Sequence, residues 1–242
     1  MAYLPILAAE ADEIPDRVLV VGDPKRLDLV RDRLDDLVKI SASREYHTIK
    51  GYFQGELIGA VSHGVGSAGA GVCFEEICRS GAKRIIRAGS AGGLQPAVTA
   101  GHIVLAQAAV RDDGLSHKLV PASFPAVATA DLLLHMRSVA QSSGAAFHEG
   151  IVLTSDMFYP HDVLGSNLQL WQRAGITAVE MEVATLFVVC ALHGVERAAV
   201  VAIDGNPLAQ DEGSMDTYDP DQREVKTAVN QALDVALATL IH

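Results

Sequence analysis

Arginine stands at two places where an apolar run gives way to small residues, a pairing suited to holding an anion. In Arg87-Ala-Gly-Ser-Ala-Gly-Gly93 the arginine ends a buried strand pattern, the small residues let amides approach an oxyanion, and Ser90 adds a hydroxyl donor. In Gly22-Asp-Pro-Lys-Arg26 a strand end meets a helix start, so free backbone N–H groups and the helix dipole favour an anion beside Arg26. The plainer readings are an ion pair between Arg87 and a nearby acid, and an ordinary strand-to-helix turn with Arg26 on a solvated face. Gly64-Val-Gly-Ser-Ala-Gly69 matches the dinucleotide-binding pattern and follows a strand, but the next strand ends at Arg87 and Ser90 without the acid that holds a ribose hydroxyl. An arginine there could suit a 2′-phosphate, and close packing against a small ligand explains the glycines equally well.

Carboxylates mark two further strand ends, Glu180-Met-Glu182 and Ile203-Asp-Gly205. A carboxylate accepting hydrogen bonds from vicinal hydroxyls is a natural ribose clamp. Glu180 and Glu182 share a face only if the strand is regular, so one of them is expected to meet a ligand. Asp204, after an apolar strand, is a candidate general acid with a raised pKa, its alternative being a cap or turn residue. His63 and His102 flank strands and read as hydrogen-bonded core or turn residues, their spacing suiting no metal site. Trp171, Phe158 and Tyr159 lie near a predicted loop, where an aromatic ring can stack on a base, although core packing is the commoner fate of such residues.

The elements that must position these groups alternate along the chain. Arg17 to Gly22 is a β-branched apolar run suited to a strand buried on both faces, and Pro24 then opens a helical spacing at Leu27, Leu29, Val30, Leu34 and Leu37. The alternation returns with strands at Leu57–Ser62 and Ala82–Ala88 around a helix at Ala68–Ser80, then strands at His102–Ala106 and Ile151–Thr154 around a helix at Asp131–Ser142. It ends with a helix from Glu182 to His193 stopped by Gly194, a strand at Ala198–Ile203 and an amphipathic helix from Asp221 to Ile241. Such alternation implies an α/β fold, in which ligands bind beyond the carboxyl ends of the strands.

With 49% hydrophobic and 20% charged residues, the 242-residue chain can bury a large core, and no linker-like stretch divides it, so one domain over residues 1–242 is expected. A net charge of −11 argues against nucleic acid or anionic lipid as partners, while a few converging arginines can still hold a small anion. Cys73, Cys78 and Cys190 sit in apolar stretches without disulfide or zinc spacing. With no basic segment before an apolar run between Met1 and Ile14, and no apolar stretch of spanning length, the reading is cytoplasmic.

In order, Gly22-Asp-Pro with Arg26, Ser43-Arg-Glu-Tyr46, Ser62-His-Gly-Val-Gly66, Arg87-Ala-Gly-Ser90, Ser155-Asp-Met-Phe-Tyr-Pro160, Val179-Glu-Met-Glu182 and Ile203-Asp-Gly205 resemble the nucleoside phosphorylase family, which includes uridine and hexameric purine nucleoside phosphorylases. The resemblance implies a mixed central β-sheet flanked by helices and a phosphorolytic enzyme with no cofactor and no metal, inorganic phosphate being a co-substrate. It assigns phosphate binding to Gly22, Arg26, Arg87 and Ser90, with Arg44 reaching a neighbouring subunit's site across a dimer that builds a hexamer. It assigns the ribose hydroxyls to Glu182, the sugar and base pocket to Val65, Phe158 and Met181, a structural role to Glu180, and protonation or hydrogen bonding of purine N7 to Asp204.

Purine rather than pyrimidine is the expected base. Uridine phosphorylases carry a glutamine and an arginine in an insert after Phe-Tyr-Pro, whereas this chain runs His161-Asp-Val-Leu-Gly-Ser166. The segment Gly205-Asn-Pro-Leu-Ala-Gln-Asp-Glu-Gly213 is similar to protozoan purine nucleoside phosphorylases. One departure is that Met1 to Ile14 lacks the histidine with which the family usually reaches a neighbour's ribose 5′-hydroxyl. Tolerance of 5′-modified substrates and a substitute side chain are both open. The competing readings are uridine phosphorylase, a nucleosidase, which would not need the arginines, an NADP-dependent oxidoreductase and a non-catalytic nucleoside-binding protein.

Overall fold

The computed structural model describes residues 2–163, 165–209 and 222–242. A short antiparallel pair, β1 (Tyr3–Leu4) and β2 (Ala9–Glu10), precedes the main sheet. The first half then runs β3 (Arg17–Val21), α1 (Arg26–Arg31), β4 (Asp35–Ser43), β5 (Tyr46–Phe53), β6 (Glu56–Ser62), α2 (Ser67–Arg79) and β7 (Arg84–Gly93). The second half runs β8 (Ile103–Asp112), α3 (Gly114–Leu119), β9 (Ala126–Val127), α4 (Ala130–Ser143), β10 (Phe147–Ser155), α5 (Leu168–Arg173), β11 (Ala178–Glu180), α6 (Val183–His193), β12 (Glu196–Gly205) and α7 (Arg223–Leu240).

The sheet order is β4-β5-β6-β3-β7-β12-β8-β10-β11, and β11 also pairs with β7, so the last five strands in that order close on themselves. Parallel pairing along β6-β3-β7-β12 and β8-β10-β11 meets antiparallel pairing at β12–β8, β11–β7 and the β4-β5-β6 arm, which makes the sheet mixed. Alternation along each central strand explains the layering. Val18, Val20, Ile85, Ala199 and Val201 face a core with Phe74 and Ile77 of α2 and Leu186 and Phe187 of α6. Their neighbours Leu19, Val21, Ile86, Ala198 and Val200 face Leu132 and Met136 of α4 and Leu233 and Leu237 of α7. Strands buried on both faces therefore read as unbroken apolar runs.

One expected element is corrected. The helical spacing through Leu37 does not continue as a helix; α1 ends at Arg31, and Leu37 lies in β4. Leu29, Leu34 and Leu37 still pack against the same core, so their apolar character serves the interior through a bend and a strand instead. Asp36 takes φ +49° within this stretch.

Closure of the ring depends on missing side chains. β7 runs five residues past Ala88, and its Gly92 and Gly93 pair with Val179 and Ala178 of β11. A Cβ on Gly93 would stand 2.2 Å from the backbone oxygen of Val98. Gly93→Ala is therefore expected to cost about 1–3 kcal/mol through overpacking. Thermal melting checks this, and an unchanged midpoint would show that the Val98 segment yields freely.

Among the described residues no helix is long and apolar enough to cross a membrane, and no group of three His, Cys, Asp or Glu side chains is placed to hold a metal ion. The three cysteines are free and buried.

Candidate functional site

Four chain segments meet at the carboxyl ends of β3, β6 and β7 and at the start of α6. Parallel pairing sets Val20 of β3 beside Arg87 of β7, and the turn after β3 holds the one after β6 through Gly64 N–H donating to Gly22 O at 3.0 Å. Arg26, the first residue of α1, reaches across to donate from Nη2 to Ser90 Oγ at 3.1 Å. Gly22, Arg26, Arg87 and Ser90 thus share one end of the sheet, and Arg26 turns toward it.

Arg87 is only 3% exposed, so its charge must be compensated locally. Its Nη2 donates to Glu182 Oε2 at 2.5 Å and to Glu180 Oε2 at 3.4 Å, with all three side chains buried. Its Nη1 lies 3.2 Å from Nε2 of His63, which is fully buried. The guanidinium folds back over its own strand into space left by Gly89, where a Cβ would lie 2.7 Å from Cζ of Arg87. The buried Nε of Arg87 has no hydrogen-bond partner among the described residues, so one donor of this cation is left unsatisfied. The ion-pair alternative for Arg87 is real, and it coexists with a free donor.

The two glutamates divide the work. Glu180, the last residue of β11, accepts from Thr154 Oγ1 at 2.5 Å and from the backbone N–H groups of Glu182 and Val183, so it caps the amino end of α6. Burial raises its pKa, the Arg87 charge pulls it down and the neighbouring Glu182 pushes it up again. Glu182 lies beyond the strand as the residue before α6, with φ −142° and ψ −15°, so the two carboxylates do not alternate on a regular strand. Its Oε1 accepts from the backbone N–H of Gly66 at 2.6 Å, and Ser67 Oγ donates to Met181 O at 2.8 Å. The glycine loop before α2 therefore gives an amide to a carboxylate at the place where a dinucleotide pattern would present it to pyrophosphate.

Asp204 follows the fully buried run Ala198–Ile203. Ile203 pairs with Ala91 and Gly205 with Gly92, so Asp204 is the bulged residue between them, a geometry that re-aims a side chain. It lies neither at a helix cap nor in a turn. The Asp-Glu-Gly segment at 211–213 lies outside the described residues.

The pocket residues are placed less tightly. Val65 is 79% exposed in the glycine loop, and Met181 is half-buried beside Glu182. Phe158, also largely exposed, lines a cleft of about 490 Å³ with Asp112, Ser155, Asp156, Met157 and Tyr159. Arg44 stands outside the hydrogen-bonded cluster, exposed in the turn between β4 and β5 with φ +55°. That turn is pinned to the end of β6, because Ser62 Oγ donates to Glu45 O at 2.6 Å. Trp171 packs with Leu94, Leu153 and Ile176 and has the core role anticipated for it. His102 is hydrogen-bonded to His148 at 3.0 Å, again the plainer reading. His63 as a partner of Arg87 is not foreseeable from local spacing; its only sequence signal is its place directly after a buried strand.

The phosphorylase superfamily model matches residues 16–241. The chain is 42% identical to a purine nucleoside phosphorylase of Plasmodium falciparum, over 87% of this chain and 86% of that one. It is 30% identical to a uridine phosphorylase of Escherichia coli, over 88% of this chain and 90% of that one. Among solved structures, the purine nucleoside phosphorylase of Toxoplasma gondii in complex with immucillin-H superposes with a TM-score of 0.94 at 29% identity, covering 99% of this chain and 96% of the other.

Proposed function

Since the chain belongs to the phosphorylase superfamily, we propose that it is a purine nucleoside phosphorylase, which converts a purine nucleoside and inorganic phosphate reversibly into free base and ribose 1-phosphate. The observation that carries this is the buried Arg87, paired with a carboxylate suited to sugar hydroxyls and keeping an unsatisfied donor at the same end of the sheet as the Arg26–Ser90 pair. In this reading Gly22, Arg26, Arg87 and Ser90 hold the phosphate, and Glu182 accepts from the 2′- and 3′-hydroxyls. Val65, Met181 and Phe158 border the sugar and base.

The bond from sugar C1′ to the base breaks as a phosphate oxygen bonds to C1′, through a state with positive charge on the sugar and negative charge on the base. Bound phosphate stabilises the first. Asp204 answers the second by giving a proton or a hydrogen bond to purine N7. No organic cofactor or metal has a part in these steps, phosphate itself being consumed.

Arg44, exposed at its turn, is assigned to the site of a second copy, which makes the active unit a dimer-based oligomer, with a hexamer as its full assembly. We place the enzyme in the cytoplasm, where the three free thiols would stay reduced.

Purified protein is expected to release hypoxanthine from inosine only when phosphate is supplied, and to cleave inosine faster than uridine at equal concentration. Base release without phosphate would mean a nucleosidase. Faster uridine cleavage would reject the purine assignment, which the higher identity to a purine enzyme than to a uridine enzyme supports.

A further inference from the structure

We propose that His63 is a positioning residue of this site, a neutral acceptor that orients the Arg87 guanidinium toward phosphate; the inference rests on the phosphorolytic reading above. A guanidinium only donates, so the 3.2 Å contact from Arg87 Nη1 makes His63 Nε2 the acceptor and places the ring proton on Nδ1. Burial first, and then the charge of Arg87, hold the imidazole well below the usual histidine range, so it stays uncharged in neutral solution.

The value of a neutral acceptor follows from what else binds Arg87. Nη2 already faces two carboxylates, Glu182 at 2.5 Å and Glu180 at 3.4 Å. A third anion would deepen the negative charge already facing this cation and repel an incoming phosphate, whereas an imidazole lone pair fixes Nη1 without adding charge. Loss of that acceptor would let the guanidinium swing toward the carboxylates, weakening its hold on phosphate while keeping its ion pair.

The residue sits in a packed interior. The backbone N–H of His63 donates to Val21 O at 2.9 Å, which ties it to β3, and the ring packs edge-on against Phe74 with centroids 5.2 Å apart, its buried Nδ1 meeting no hydrogen-bond partner among the described residues. A Cβ on Gly22 would stand 3.8 Å from Cε1 of His63, so the ring lies next to the turn after β3 while it meets the arginine of β7. Those are the two segments assigned to phosphate.

The test compares His63→Asn with His63→Gln in the full chain. Both are polar, but only glutamine places an oxygen near the position of Nε2. Inorganic phosphate is titrated calorimetrically, and KM is measured separately for phosphate and inosine. His63→Asn is expected to raise phosphate Kd and KM roughly tenfold or more, with the inosine KM within about threefold of wild type, and His63→Gln to recover most of the loss. Unchanged phosphate binding in His63→Asn would overturn the proposal, as would a loss spread equally over both substrates and not rescued by glutamine. If wild type binds phosphate but cleaves no nucleoside, the functional reading fails while the titration still decides the role of His63. If wild type binds no phosphate, both fall.

Discussion

Arg87→Met is expected to lower phosphorolysis by at least about 10²–10³-fold and to lower stability more than any other single change at the site. Removing one partner of a buried ion pair typically costs about 3–5 kcal/mol, because the remaining charge has neither water nor counterion. Here two carboxylates, Glu180 and Glu182, would be left facing each other in the interior. Their relief is to bind protons, which would weaken Glu182 as an acceptor for ribose hydroxyls. Loss of the Arg87 donors at the phosphate should by itself reduce turnover by about 10²–10³-fold. The stability and activity effects can be separated. Arg87→Met combined with Glu182→Gln removes one of the two stranded charges and leaves Glu180 with its Thr154 and backbone donors, so it should regain part of the melting temperature while remaining inactive. A double variant no more stable than Arg87→Met would show that the loss lies in packing; phosphate-dependent turnover within about tenfold of wild type in Arg87→Met would remove arginine from the mechanism.

Asp204→Asn should leave the fold and phosphate binding intact yet lower turnover of inosine by about 10²–10⁴-fold, the usual worth of a positioned general acid. Asparagine keeps the size of the bulged side chain on β12 and can still donate a hydrogen bond, but it has no proton to give up. The chemistry supplies its own control. A nucleoside methylated at N7 already carries the positive charge that protonation would create, so Asp204→Asn should cleave it at a rate close to wild type. Equal losses on both substrates would indicate that Asp204 shapes the pocket rather than handling the proton. A rise in phosphate KM matching the fall in kcat would place its effect at the wrong end of the reaction.

Much of this site is legible in the sequence because the fold buries its strands on both faces. Such strands must be apolar throughout, so a charged residue at their carboxyl end is conspicuous, and that is how Arg87 and Asp204 stand out in the chain. The glycine loop after β6 is equally visible, but what its amide binds is not. Gly66 meets Glu182 across 116 positions, a pairing that no local spacing encodes. The same holds for His63 and Arg87, which stand at the ends of strands that flank β3 on opposite sides. The start of β4 is hidden because Leu37 continues a leucine spacing that fits a helix, and pairing with β5 decides otherwise.

The alternation of strands and helices, the apolar runs that form the central sheet and the polar residues at their ends can all be read along the chain. Those properties follow from short-range periodicity and from the cost of burying charge. Long-range packing is what makes β11 close the strands into a ring, sets Glu180 to cap α6 while Glu182 turns to the glycine loop, and rests Arg87 between carboxylates and a neutral histidine. These are choices of partner among residues far apart in the chain, and they arise when the packed sheet leaves each buried donor and acceptor few neighbours with which to bond.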